Sequence, residues 1–191
     1  MQNKNTKQFN EIINSRVEGF TFCGMRGCNG SPVAMDGIYV EATWGIIFHL
    51  ANKNDIVLTW CEDNQVGDPF FICVRPVERC MDIGSLELQD ATSLTPWKNY
   101  VDQTVTNLAT HTYPTNYGNS ERWHDVTWGI ELDFSNSRKM LIGALHHGDF
   151  EQYLTCADEV VVIFDNELIL SVIKTRSSFR SEWSDYETKS L

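Results

Sequence analysis

Positive charge is what this chain has least of. Its 191 residues include 15 Lys and Arg against 26 Asp and Glu, a formal net charge of −11. A field of that sign repels a phosphate backbone, so no nucleic acid is expected as a direct partner, and association with a basic protein is favoured. Long hydrophobic runs are missing too. No apolar stretch approaches the roughly 20 residues that a membrane helix needs, so no membrane partner is expected. Met1 to Asn10 is polar and contains no hydrophobic h-region. A secretory signal is therefore not expected, and the cytoplasm is the expected compartment.

Signature motifs of catalysis are also lacking. There is no G-x-S-x-G nucleophile elbow and no C-x-x-C. The glycine-rich stretch 24–30 lacks the spacing of a P-loop or a dinucleotide fingerprint. No cysteine stands out beside a histidine as an activated nucleophile. The six cysteines (23, 28, 61, 73, 80 and 156) are expected as thiols, with Cys61, Cys73 and Cys156 acting as small buried hydrophobes. Cys23 and Cys28 flank the glycine-rich loop without the second ligand pair that a tetrahedral zinc site requires. His146-His147-Gly148-Asp149, with His124 upstream, is the most metal-like grouping. Adjacent residues on a strand point to opposite faces, so the His146-His147 pair does not converge on one ion, and no metal or cofactor is expected.

What the chain does have is an internal echo. Ala42-Thr43-Trp44-Gly45-Ile46-Ile47-Phe48-His49-Leu50 recurs in outline at Val126-Thr127-Trp128-Gly129-Ile130-Glu131-Leu132-Asp133-Phe134. Each copy is followed by a polar turn, 52–55 and 135–138, and then by an apolar run, 56–58 and 140–142. Both read as strand, turn, strand. A third apolar run closes each half, at 70–74 and at 160–164. Further strands are expected at 17–23, 38–50, 103–113 and 168–173, with a short helical turn over 10–17 and a polar tail from 174. The expected fold is mainly antiparallel β with little helix, a two-sheet sandwich or partly open barrel. It would be built from two tandem copies of one β unit, 1–85 and 86–174 sharing a core, followed by the tail 175–191.

Aromatics are plentiful, with six Trp, six Tyr and ten Phe. Trp44 and Trp128 are expected as paired core residues. Trp60, Trp97, Trp123 and Trp183 lie beside polar residues, where exposed rings would suit protein recognition. Glu131 and Asp133 share one face of a half-exposed strand. The functional expectation is a non-enzymatic, acidic protein-binding module of the immunity or inhibitor kind, which neutralises a basic toxin or enzyme. Its partner-binding residues would be Glu62, Asp63, Asp68, Trp123, Glu131, Asp133 and Asp149. The alternative is a small-molecule-binding barrel or sandwich, an enzyme included. Its pocket would lie between the repeats, with Cys23, His124 and His146 among its polar members.

Overall fold

The computed structural model describes residues 6–26, 31–33, 37–52, 54–63, 68–80, 83–115, 124–144 and 160–178. A short helix, α1 (Thr6–Ile12), leads into β1 (Val17–Met25), β2 (Tyr39–Ala42), β3 (Gly45–Leu50), β4 (Ile56–Asp63) and β5 (Asp68–Pro76). After two short 3-10 turns come β6 (Leu86–Asp90) and a third such turn at Trp97–Asn99. The chain continues through β7 (Val105–Thr115), β8 (His124–Phe134), β9 (Lys139–Ala144) and β10 (Val160–Ile163), and the described residues end with helix α2 (Asn166–Ser178). The strands make two five-stranded antiparallel sheets, in the orders β5-β4-β3-β1-β6 and β2-β10-β9-β8-β7. The expected mainly antiparallel architecture is the observed one.

Period-two alternation sorts the side chains. Phe20, Phe22, Ile46, Phe48, Leu50, Ile56, Leu58, Ile72 and Val74 of the first sheet share one buried core with Ile130, Leu132, Phe134, Met140, Ile142, Val160 and Val162 of the second. The segment 91–104 inserts its own aromatics into this core. Trp97 is 0% exposed. Its ring lies 5.0 Å from Phe20 and 5.0 Å from Phe164. Phe20 in turn meets Phe48 edge-on at 5.0 Å, and Tyr100 meets Phe134 at 4.9 Å and Phe164 at 5.7 Å. A continuous chain of rings thus runs from β3 of one sheet to β8 of the other. Both polar tips are satisfied, as buried Trp and Tyr require: the Trp97 indole N–H donates to the Pro32 carbonyl at 2.8 Å, and the Tyr100 hydroxyl donates to the Lys139 carbonyl at 2.9 Å. Trp97, read in the sequence as a candidate for exposure, is a core residue.

The apolar stretch 38–50 is expected as one strand. It changes partners. β2 pairs with β10 in the second sheet, the chain bends at Thr43-Trp44, and β3 pairs with β1 and β4 in the first. The carbonyls freed at the bend are taken by side chains: the Trp60 indole N–H donates to Thr43 O at 3.2 Å and the Thr59 hydroxyl to Trp44 O at 2.6 Å. Immediately after the bend, a Cβ on Gly45 would stand 2.5 Å from the Leu58 carbonyl oxygen, so the backbones approach there as no other residue permits.

Three further expectations are corrected. The run 168–173 is helical, not a strand. Asp165 caps α2 with its carboxylate on the Leu168 N–H at 2.8 Å. Ile169 and Val172 are buried while Leu170 is 64% exposed, a helical and not an alternating pattern. The polar tail accordingly begins later, since α2 runs to Ser178. Trp44 and Trp128 are not paired. Trp44 packs with Cys23, Ile47, Val57 and Leu86 on the outside of the first sheet, and Trp128 with Leu141, Val161, Ile163 and α2 on the outside of the second. In β8 the register runs from His111↔Gly129 to Thr112↔Thr127, which leaves Trp128 as the extra residue of a β-bulge. That bulge turns the ring to the face opposite Ile130, Leu132 and Phe134. Finally, Cys73 is disulfide-bonded and not a thiol. Which sulfurs meet is set by strand placement and not by spacing along the chain.

The two Thr-Trp-Gly-Ile words enter equivalent strands, β3 between β1 and β4, and β8 between β7 and β9. As edge strands, β2 lies in the second sheet and β6 in the first.

Because the ring chain joins the sheets, Trp97→Ala is expected to cost about 3–5 kcal/mol, the usual loss for a large buried aromatic. Urea unfolding monitored by circular dichroism measures it. A loss below 1 kcal/mol, within the range of an ordinary surface change, would mean that Trp97 does not tie the sheets together.

Candidate functional site

The outer face of the second sheet carries the most connected polar group among the described residues. Adjacent strands place Asn107 and His111 of β7, Glu131 and Asp133 of β8, and Lys139 of β9 side by side. His111 Nε2 lies 3.0 Å from Glu131 Oε2, and Lys139 Nζ reaches Glu131 Oε1 at 2.6 Å and Asp133 Oδ1 at 2.8 Å. The Asn107 side-chain amide donates to Asp133 Oδ2 at 3.0 Å. The His111 ring also tilts against Trp128, centroids 5.4 Å apart, so the bulge brings an aromatic beside the acids. Burial alone would raise the Asp133 carboxyl. Hydrogen bonds from Lys139 and Asn107 outweigh that effect and hold it below the usual carboxylate range. The same bonds, to Asp133 and then to Glu131, push the Lys139 ammonium up. Glu131 and Asp133 do share a face, as their spacing implied, but the structure spends both on internal partners.

A second group lies outside the first sheet and carried no motif. His49 Nδ1 is 3.0 Å from Asp55 Oδ2, and His49 Nε2 is 2.8 Å from the Thr21 hydroxyl. With Nδ1–H donated to Asp55, Nε2 accepts from Thr21, which is the order of a hydroxyl–imidazole–carboxylate relay. His49 and Asp55 are more than a third exposed. β1 is laddered on both sides at Thr21, so the backbone N–H groups there are committed to its neighbours β3 and β6. The three residues are 28 and 6 positions apart in sequence, and only the pairing of β1 with β3 could have brought them to notice. Nearby, the Thr92 hydroxyl and backbone N–H hold the Asp90 carboxyl low.

The other expected residues are distributed as follows. Glu62, Asp63 and Asp68 belong to the facing ends of β4 and β5, where Asp63 pairs with Asp68, and only their backbone is described. The same is true of His124. Trp123, His146, His147 and Asp149 lie outside the described residues. Among the described residues no group of three or more His, Cys, Asp or Glu is placed to hold a metal ion. Cys23 is buried on the outside of the first sheet, away from the space between the sheets, and burial pushes its thiol up to about 12, with Cys80 nearby adding to the rise.

No family model matches the chain, and neither a curated protein nor a solved structure does.

The sign of the Lys139 effect can be measured. Asp133 is lowered on folding, so its contribution is present above the ordinary carboxylate range near pH 4 and is lost as pH falls through its folded value. Lys139 is raised, so its contribution is present below about pH 10.5 and is lost as pH rises further. Lys139→Gln is expected to cost about 0.5–1 kcal/mol at pH 7, discounted because the ammonium is partly exposed. The difference from wild type should shrink below pH 4. A difference unchanged between pH 7 and pH 3 in urea titrations would refute the ion-pair account.

Proposed function

We propose that the protein binds a basic protein partner and acts by occupying it, as an immunity or inhibitor protein does. One observation carries the reading, the uneven distribution of charge along the chain. The facing ends of β4 and β5, of β7 and β8, and of β9 and β10 all lie at one end of the two sheets. The sequence that joins these strand ends, 61–70, 113–126 and 145–159, holds nine Asp and Glu and a single Arg or Lys, Arg122. That is eight of the eleven net negative charges. Such polarity steers a cationic surface toward one end of the molecule and orients the encounter.

Glu62, Asp63, Asp68, Asp149 and Trp123 fall in these segments and are the proposed contact residues. Glu131 and Asp133 are proposed as contributors of lesser weight, because Lys139 already neutralises part of their charge. No helix among the described residues is long and apolar enough to cross a membrane. The cytoplasmic assignment made from the polar N-terminus is opposed by the Cys73 disulfide, which favours an oxidising compartment. Partner neutralisation is possible in either.

A second reading, an enzyme acting on a small acyl or phosphoryl substrate, has the Thr21–His49–Asp55 geometry in its favour. There Thr21 Oγ1 would attack while His49 Nε2 takes its proton and Asp55 steadies the imidazolium.

Two measurements separate the readings. Immobilised protein should retain one basic protein from the native lysate at low salt and release it as salt rises. The triple variant Glu62→Lys/Asp63→Lys/Asp68→Lys should fail to retain it. Retention by the variant equal to wild type would remove these acids from the interface. The enzyme reading instead predicts that a fluorophosphonate labels Thr21, with fluoride leaving, and that His49→Ala abolishes labelling. Unlabelled wild-type protein would rule out an activated Thr21.

A further inference from the structure

The outer face of the first sheet holds a group of sulfur atoms that neither reading above uses. Cys23 and Met25 stand two residues apart on β1 and therefore share that face. Cys80 follows the 3-10 turn Val77–Arg79, which continues from the end of β5. All three side chains pack in one small apolar cluster with Ile47, Val57 and Leu86. Cys23 is 0% exposed, while Met25 and Cys80 are half-buried and leave a way in from solvent. Backbone bonds fix each position. Cys23 is laddered between Gly45 of β3 and Leu88 of β6. The Met25 N–H donates to the Thr43 hydroxyl at 2.7 Å, and the Cys80 N–H to the Val77 carbonyl at 3.0 Å. Cys23 and Cys80 are both thiols. Their S–H groups donate to the Thr21 and Pro76 carbonyls, each at 3.7 Å, and a thiol is a weak donor that gives up such a bond readily.

We infer that Cys23, Cys80 and Met25 form a binding site for a soft monovalent metal ion, of which copper(I) is the physiological example. Donor chemistry selects the ion. Thiolate and thioether sulfurs together suit copper(I), whereas calcium, magnesium and manganese take oxygen. Zinc takes Cys, His, Asp or Glu, four of them in a structural site, and the described residues bring no three of those together. Electrostatics points the same way. Two thiolates side by side in an apolar cluster would repel each other and lose their hydration, and for that reason burial, with Cys80 nearby, pushes the Cys23 thiol up to about 12. A bound cation removes both penalties, and a coordinating thiol is deprotonated outright. The step balances: each S–H gives up its proton as the sulfur binds the ion, and Met25 adds a lone pair with no proton change. One copper(I) enters and two protons leave. Ile47, Val57 and Leu86 surround the sulfurs with apolar side chains, which keep solvent from the ion. The inference does not rest on the partner proposed above.

Anaerobic titration of the full chain with copper(I), held by bicinchoninate as a competing coloured chelator and kept reduced by ascorbate, tests it. Wild type should withdraw one copper(I) that Cys23→Ser and Cys80→Ser each lose, and a weakly buffered solution should register two protons for that ion. Copper held by any other cysteine is common to wild type and variants, so the difference between them reports this site. Met25→Leu keeps the apolar bulk and should bind at least about tenfold more weakly, since even partners outside the ligand set are worth about 10–100-fold. X-ray absorption of wild type loaded with one equivalent gives a reading that requires no variant to fold: copper with sulfur neighbours alone is expected, and nitrogen or oxygen neighbours overturn the inference. No uptake by wild type, uptake undiminished in either cysteine variant, or an unchanged affinity in Met25→Leu overturns it too.

Discussion

The structure depends on the contact between Trp97 and the two sheets. Neither sheet can bury its inner face alone, and among the described residues the bend at Thr43-Trp44, the bridge of Arg16 to Thr104 and the backbone bonds of Val17 to Asp102 and Gln103 link the two. The ring chain Phe48–Phe20–Trp97–Phe164–Tyr100–Phe134 fills the space between them at one end. Large rings suit this task because each buries much apolar area while losing few rotatable bonds. The polar tips of Trp97 and Tyr100 reach backbone carbonyls, so the wedge leaves no unsatisfied donor in the core.

Anchoring one end in this way sets the character of the other. The aromatic wedge, α1 and the bonds of Val105 to Asn14 and Ser15 gather where β1 begins and β8 ends. The acid-rich stretches of sequence, 61–70, 113–126 and 145–159, join strand ends at the opposite end, and Arg122 is their one Lys or Arg. A sandwich commonly separates a packed end from a loop end that carries recognition, and the proposed partner surface follows that division. On the outer face of the second sheet the acids behave differently. Glu131 and Asp133 meet Lys139, Asn107 and His111, which makes that face a closed network with little charge left to offer.

Much of the fold was legible because most strands carry short-range signals. The hairpins at 52–55 and 135–138, the apolar run at 160–163 and the β7 threonines each announce themselves within a few residues. Errors arose where two periods compete over a short apolar run. Leu168 to Ile173 satisfies a strand by content, and only the capping bond of Asp165 and the exposure of Leu170 decide for a helix. A bulge is equally hidden, since one extra residue in β8 reverses the face of Trp128 without altering its neighbours in sequence. The candidate sites were less legible. Glu131 and Asp133 were found by alternation, but their partners come from strands before and after. The Thr21–His49–Asp55 relay leaves no local pattern at all.

The sequence by itself determined the β architecture, the acidity and the scarcity of known catalytic motifs, because alternation, turn chemistry and net charge are properties of neighbouring residues or of simple sums. Tertiary structure alone decided which acids are spent on a lysine, which tryptophan joins the sheets, that Cys73 finds another sulfur and that Cys80 packs in one cluster with Cys23 and Met25. Each of these depends on which distant segments become neighbours. That is settled by how two half-buried sheets cover one another, and no window of the chain contains it.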